Sequence, residues 1–285
     1  MNNPDKKKPA AARWFWFSVM LIAIISISWK MLSVSYGKTE TLNLFSAKIQ
    51  TPKIDKQADK ILKQMSDHLT AMQQFSYKSQ GSYEVVDKDK KKEQLTYSSE
   101  VFVKRPNKLR VNAKNNNRDA AVYYDGKQFT VLGKNANMYA VAEAPPTLDA
   151  ALDSARDRFQ MDPPGADLIY SNPYKGLMEE ATQGQLVGEE VINGKASNHL
   201  AFKSKEVDWD IWIQKGSSPV PLRYKIISKN IPARPEFIVN FTDWKQGTGP
   251  DFADQQFVFS PPANSKKIPF MRLGDAPTAS NTKKK

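Results

Sequence analysis

Between Gln185 and Trp244 apolar and polar residues alternate through five stretches that are separated by short turns. A strand puts every second side chain on the same side of a sheet, so the alternation predicts an antiparallel meander with one apolar face. Val207, Trp209, Ile211 and Ile213 fall on that face, while Asp208, Asp210, Trp212 and Gln214 fall on the other. Leu222, Tyr224 and Ile226 continue the apolar set, and Phe237, Val239 and Phe241 extend it again. So much apolar surface needs a cover, either the chain's own helices or a bound apolar molecule.

A first meander precedes this one. Residues 75–86, 95–104, 109–113, 129–132 and 138–141 read as strands, and 255–259 as a last short one. The sum is a sheet of about eleven or twelve strands. Asp125-Gly126 and Asn193-Gly194 supply the positive φ angles of tight hairpin turns. Between the two meanders, Leu148, Leu152, Ala155 and Phe159 recur at helical spacing behind a Thr147 cap, followed by short helical pieces at 166–170 and 174–180. Upstream, residues 52–74 carry Ile54, Ile61, Leu62, Met65 and Leu69 on one stripe, with Thr51 as cap and Pro52 at the first helical position. Both helical regions read as cover for the sheet, which makes the fold class mainly β with some α.

The ends of the chain have a different character. Lys6, Lys7, Lys8 and Arg13 precede an apolar run from Trp14 to Trp29, the pattern of an export signal. Ser33 and Ser35 fit cleavage, while Met31, Leu32 and Val34 lengthen the run toward a retained inner-membrane anchor. Either way this segment contacts the inner membrane and the remainder is exported to the periplasm, because the positive charges stay inside. The expected layout is signal or anchor at 1–37, linker at 38–51, one domain at 52–268 and a flexible basic tail at 269–285.

Charge and cysteine content then remove several functions. The net charge is +12, but +4 sits before residue 38 and +5 from Lys266 onward, which leaves +3 for the body. A nucleic-acid groove needs its basic residues on the folded surface, so no nucleic-acid partner is expected. The absence of cysteine excludes disulfides, thiolate metal sites, a cysteine nucleophile and a lipid-bearing N-terminal cysteine. His68 and His199 sit in no metal-binding motif. Asp208 and Asp210 lie about 7 Å apart on one strand face, a pairing that solvated sheets carry routinely. Ser217 and Ser218 lack a nucleophile elbow. No catalytic residue, metal or cofactor is expected, and the chain reads as a non-enzyme.

The apolar face is the better functional candidate. Trp209, Ile211, Leu222, Tyr224, Phe237, Val239 and Phe241, with Leu62, Met65, Leu69 and Leu152 on the covering helices, form either a dry core or the lining of a cavity. In the second case the ligand is a lipid or a lipoprotein acyl chain. In the first, the chain is an envelope module that docks a protein partner, with Trp212 and Trp244 presented on the opposite face.

The succession YYDGKQFTVL, NMYAVAEAPPTLDAAL, VGEEVINGKASNHLAF, VDWDIWIQKGSSPVPLRYKI and FVFSPP resembles a family of predicted periplasmic bacterial proteins of unknown function. That family is itself similar to the Lol-type (LolA/LolB-like) lipoprotein carriers. The resemblance covers about Ile54 to Ile268. It implies an antiparallel sheet curled into an incomplete barrel, helices across its mouth, and an apolar cavity between the two.

Overall fold

A computed structural model describes residues 53–87, 90–161 and 163–271. The expected export segment, the linker, the Thr51 cap, Pro52 and most of the basic tail lie outside these residues. Among those described, thirteen strands form one sheet in two meanders. The first comprises β2 (Gln74–Val86), β3 (Lys92–Lys104), β4 (Lys108–Asn115), β5 (Arg118–Tyr124), β6 (Gln128–Gly133) and β7 (Met138–Glu143). The second comprises β8 (Gln183–Ile192), β9 (Lys195–Lys203), β10 (Val207–Gln214), β11 (Pro221–Ser228) and β12 (Glu236–Gln246). They join where β12 pairs antiparallel with β2. Two-residue parallel strands border the sheet, β1 (Lys53–Ile54) on β8 and β13 (Lys266–Lys267) on β7. These outer strands do not pair with each other, so the curl stays open.

Three helices lie on the inner face. Helix α1 (Lys56–Ala71) starts at Asp55, whose carboxylate accepts from the Gln57 and Ala58 amides at 2.6 and 3.1 Å. The sequence placed this start earlier, but Lys53 and Ile54 are taken up by pairing with β8, which holds the chain extended until Asp55. Helix α2 (Leu148–Phe159) begins at Thr147 as expected, its hydroxyl accepting from the Ala150 amide. After a 3-10 turn at Ala166–Ile169, the short α3 (Pro173–Met178) follows.

Two turn readings part company in the structure. Asn193 and Gly194, with φ of 51° and 77°, form the two-residue turn between Ile192 and Lys195. At Asp125-Gly126 the connection is longer, because the Asp125 carboxylate accepts from the amides of Lys127 and Gln128 and rounds the corner itself.

The expected strand at 255–259 is absent. Residues 250–257 instead form two 3-10 turns, Pro250–Phe252 and Asp254–Phe257, which pack Phe252 and Phe257 onto Phe102 of the outer face. Arg110 stacks over the Phe102 ring at 4.2 Å, and Lys104 pairs with Asp254 at 2.7 Å. Phe259 then lies against Tyr123 and Tyr139. Beyond β13, Ile268 and Met271 join Val131, Met138 and Ala140, and Phe270 stacks on Phe159 at 4.3 Å. This C-terminal strap runs over the outer face, around the β7 edge, and onto the end of α2. Phe257 is fully buried, so Phe257→Ala is expected to remove about 3–5 kcal/mol of stability. Urea unfolding measures it, and a loss below about 1 kcal/mol would show that the strap is dispensable.

Candidate functional site

Strand register arranges the inner face of the first meander in rows. One row crosses Phe75, Val103, Leu109, Tyr124 and Phe129. The next crosses Tyr77, Val101, Val111, Val122 and Val131, and the third crosses Ser79, Ser99, Ala113 and Ala120. Side-chain volume thus falls from row to row. Above the small row, α2 presents Leu152 and Ala155, and the segment after it adds Met161, Pro163, Pro164, Gly165 and Ile169. Small residues above and below leave a cavity of about 180 Å³. Engineered apolar cavities of about 150 Å³ admit benzene.

The second meander is packed instead. Phe202 stacks on Trp209 at 4.1 Å, and Tyr224 meets Trp209 edge-on at 5.9 Å. Gly184 allows the Phe202 ring to lie against its backbone, where a Cβ would collide with that ring. Helix α1 seals this half with Leu62, Met65 and Leu69, each 0% exposed.

The structure therefore divides the expected lining. Phe237, Val239, Phe241 and Leu152 face the cavity. Trp209, Ile211, Leu222, Tyr224, Leu62, Met65 and Leu69 sit in the packed half, all 4% exposed or less. Sequence reading missed the floor formed by Ser79, Ser99, Val111, Ala113, Ala120 and Val122. The available signal was the smallness of inward positions on four successive strands, which emerges only once their register is aligned.

The cavity wall is unevenly polar. Its hydroxyls belong to Tyr77, Ser79, Tyr83, Tyr97 and Ser99, all on β2 and β3, and no lining residue among those described is charged. Ser79 and Ser99 share a hydrogen bond of 2.6 Å between their hydroxyls. Burial raises the pKa of Tyr77 and of Tyr97, and pushes Tyr83 up to about 12 against the opposing pull of Arg118. The neutral phenol is thus the form this site holds.

Polar bonds fasten the cover. The Tyr174 hydroxyl donates to Asp59 and the Tyr174 amide to Ser66, which ties α3 to α1. Thr70 donates to the Ser171 carbonyl, and the Ser171 amide donates to Asp149 of α2 at 2.9 Å. At the far end, Arg158 donates to the Glu143 carbonyl at 2.8 Å, and Gln160 and Gly165 take left-handed φ values of 58° and 87°. Helix α2 is therefore held at both ends and borders the cavity through Leu152 and Ala155.

Of the remaining polar candidates, His199, Asp208 and Asp210 occupy the outer face. His199 stacks on Trp212 at 4.1 Å, with its ring nitrogens 2.9 Å from Glu190 and 2.8 Å from Asp210. Asp208 pairs with Lys229 and Arg234. Asp208 is thereby engaged in ion pairs and Asp210 in a hydrogen bond to His199 on the strand surface. His68, in the last turn of α1, has its pKa lowered by burial. Ser217 and Ser218 lie exposed in a turn.

Neither tryptophan expected on that face is presented there. Trp212 is 7% exposed beneath His199 and Arg223. A register shift between Thr242 and Lys245, with Asp243 at φ 52°, turns Trp244 inward against Phe75 and Tyr77, where its indole donates to the Pro221 carbonyl at 3.0 Å.

The phenols make stability depend on alkaline pH. An unfolded tyrosine ionises around its ordinary value of 10, whereas folded Tyr83 holds its proton until about 12. Unfolding therefore releases a proton between these limits, so the contribution of Tyr83 is complete below pH 10 and is lost as pH rises toward 12. Urea unfolding of the wild type against Tyr83→Phe across that window measures it. Parallel pH profiles for the two proteins would place the Tyr83 ring in water.

Comparisons with known proteins bear on family and fold. A family model described as predicted periplasmic protein (DUF2092) matches residues 58–271. No curated protein matches the chain. Among solved structures, an uncharacterized conserved protein from Thermus thermophilus is similar at 12% identity, over 75% of this chain and 99% of that one, with a TM-score of 0.44. The lipoprotein LppX of Mycobacterium tuberculosis is similar at 14% identity, over 68% and 98%, with a TM-score of 0.44. A LolA superfamily protein from Nitrosomonas europaea is similar at 15% identity, over 71% and 97%, with a TM-score of 0.33. The family description agrees with the resemblance read from the sequence. Likenesses at these scores assign neither ligand nor partner.

Proposed function

This chain belongs to the DUF2092 family of predicted periplasmic proteins, and we propose that it is a non-enzymatic periplasmic binding protein that holds one acyl chain between the first meander and α2. The observation that carries this reading is the cavity itself, about 180 Å³, whose described lining is uncharged and largely apolar. Such a site binds by removing hydrocarbon from water, at about 0.8 kcal/mol per buried methylene. Scaled from benzene in an engineered cavity, the space takes about seven carbons. Affinity for fatty acids of increasing length should therefore climb steeply up to about that length and then flatten, as further methylenes stay in solvent. Displacement of a fluorescent fatty acid measures the series. The double variant Ala113→Leu/Ala120→Leu fills the hollow and should abolish binding while the protein remains folded. If no chain length binds the wild type, the reading fails.

One observation favours a second reading, the docking of an envelope protein. Strand β1 pairs only with Gln183 and Gly184, so the outer edge of β8 from Gln185 onward has no strand partner among the described residues. Val187 and Val191 stand 50% and 71% exposed along it. A free edge of this kind accepts an added strand from a partner. Val187→Lys/Val191→Lys should then remove proteins captured from an envelope extract by the wild type and spare acyl binding. An unchanged set of captured proteins rejects this reading.

A further inference from the structure

We propose that the ligand carries a neutral carbonyl, an ester or an amide, beside its hydrocarbon chain, and that Ser79 and Ser99 bind it. The inference rests on the acyl-chain reading and deepens it. Its starting point is the segregation of polarity within the cavity. Among the described lining residues all the hydroxyls belong to β2 and β3, while the wall from β4 to β6 and the cover from α2, Met161, Pro163 and Pro164 contribute apolar groups.

The Ser79 and Ser99 hydroxyls bring two protons to a shared contact of 2.6 Å that uses one of them. No other hydrogen bond of either side chain is present among the described residues, and Ser79 is only 4% exposed. Ser99 is half-buried, and whichever hydroxyl donates, the second proton faces the cavity, where the described lining gives it no acceptor. Tyr77 stands two residues from Ser79 on the same strand face, about 7 Å along. Its hydroxyl makes no hydrogen bond among the described residues, and burial keeps it protonated. The wall thus offers donors that want an acceptor.

The nature of the acceptor follows from what the lining lacks. With no cation among its described residues, a carboxylate drawn inside would lose hydration without gaining a counter-charge. A carbonyl oxygen has two lone pairs, is easily desolvated, and can accept from the serine pair and from Tyr77 together. The hydrocarbon then runs toward Val111, Ala113, Ala120 and Val122, and any charged headgroup remains outside.

The test compares methyl hexanoate with octane on the full chain, each displacing a fluorescent fatty acid. Ser79→Ala/Ser99→Ala removes both hydroxyls at once and so leaves no orphan behind. The expected result is a loss of about three- to tenfold in methyl hexanoate affinity with octane affinity unchanged, which also shows the variant to be folded. Tyr77→Phe should give a smaller loss of the same selectivity. If both ligands weaken equally, or neither does, the carbonyl site is wrong while the acyl-chain reading stands. If neither ligand binds the wild type, the acyl-chain reading itself falls.

Discussion

Strand register is the constraint on which the rest of this structure depends. Antiparallel pairing sets Ser79, Ser99, Ala113 and Ala120 side by side across four strands, so four small side chains become one groove. A slip of one residue would turn the small residue outward and, at Ser79 or Ala113, bring a larger polar neighbour in. The flanking row of Tyr77 and four valines holds that register, because its members bury together only in this alignment. Cavity shape is therefore a property of pairing, set before any helix arrives.

The helices then divide the inner face unequally. Because β1 delivers the chain to the β8 edge, α1 must begin there, and it settles over the bulky side chains of β9, β10 and β11. Helix α2 emerges from β7 at the opposite edge and meets valine, alanine and serine. Its own inward residues include Ala151 and Ala155, too short to reach the floor. One half of the sheet is thus a conventional packed core that carries stability, and the other half is free to be hollow. The strap from Phe252 to Met271 supports the hollow half from outside, with aromatic contacts on the outer face and the Phe270–Phe159 stack at the end of α2.

Much of this architecture could be read in the sequence. Period-two alternation located the strands of both meanders, and Asn193-Gly194 fixed a turn that the structure reproduces. The misreadings have physical causes. Lys53–Ile54 and Lys266–Lys267 are two-residue strands held by a neighbouring edge, and two residues carry no periodicity. Residues 255–259 hold apolar residues with strand-like propensity, but Phe257 is buried by packing on Phe102 and not by pairing. Trp244 changed face because Asp243 adopts a left-handed angle that alternation cannot foresee. For the site, large apolar residues drew attention to β10 and β11, which turned out to be the solid half. Alanine and serine look uninformative singly, and their meaning appears only when four strands are aligned.

The energetics of the hollow argue for a use. In mutational series an enclosed cavity costs about 24 cal/mol per Å³, so a partly open space of 180 Å³ forgoes at most about 4 kcal/mol of packing. That is a sizeable share of the roughly 5–15 kcal/mol that separates folded from unfolded domains. The means of recovering it are modest, since leucine at Ala113 and Ala120 would add the missing methyl groups and is tolerated in strands as well as alanine is. The wall also turns a serine hydroxyl proton and the Tyr77 phenol toward the same space, with no acceptor for either among the described residues. Two independent deficits at one site have a common remedy in an occupant that is mostly hydrocarbon and bears a single acceptor. An alternative in which the cavity is merely imperfect packing explains the missing volume, but it does not explain why the unpaired donors are gathered on the same two strands.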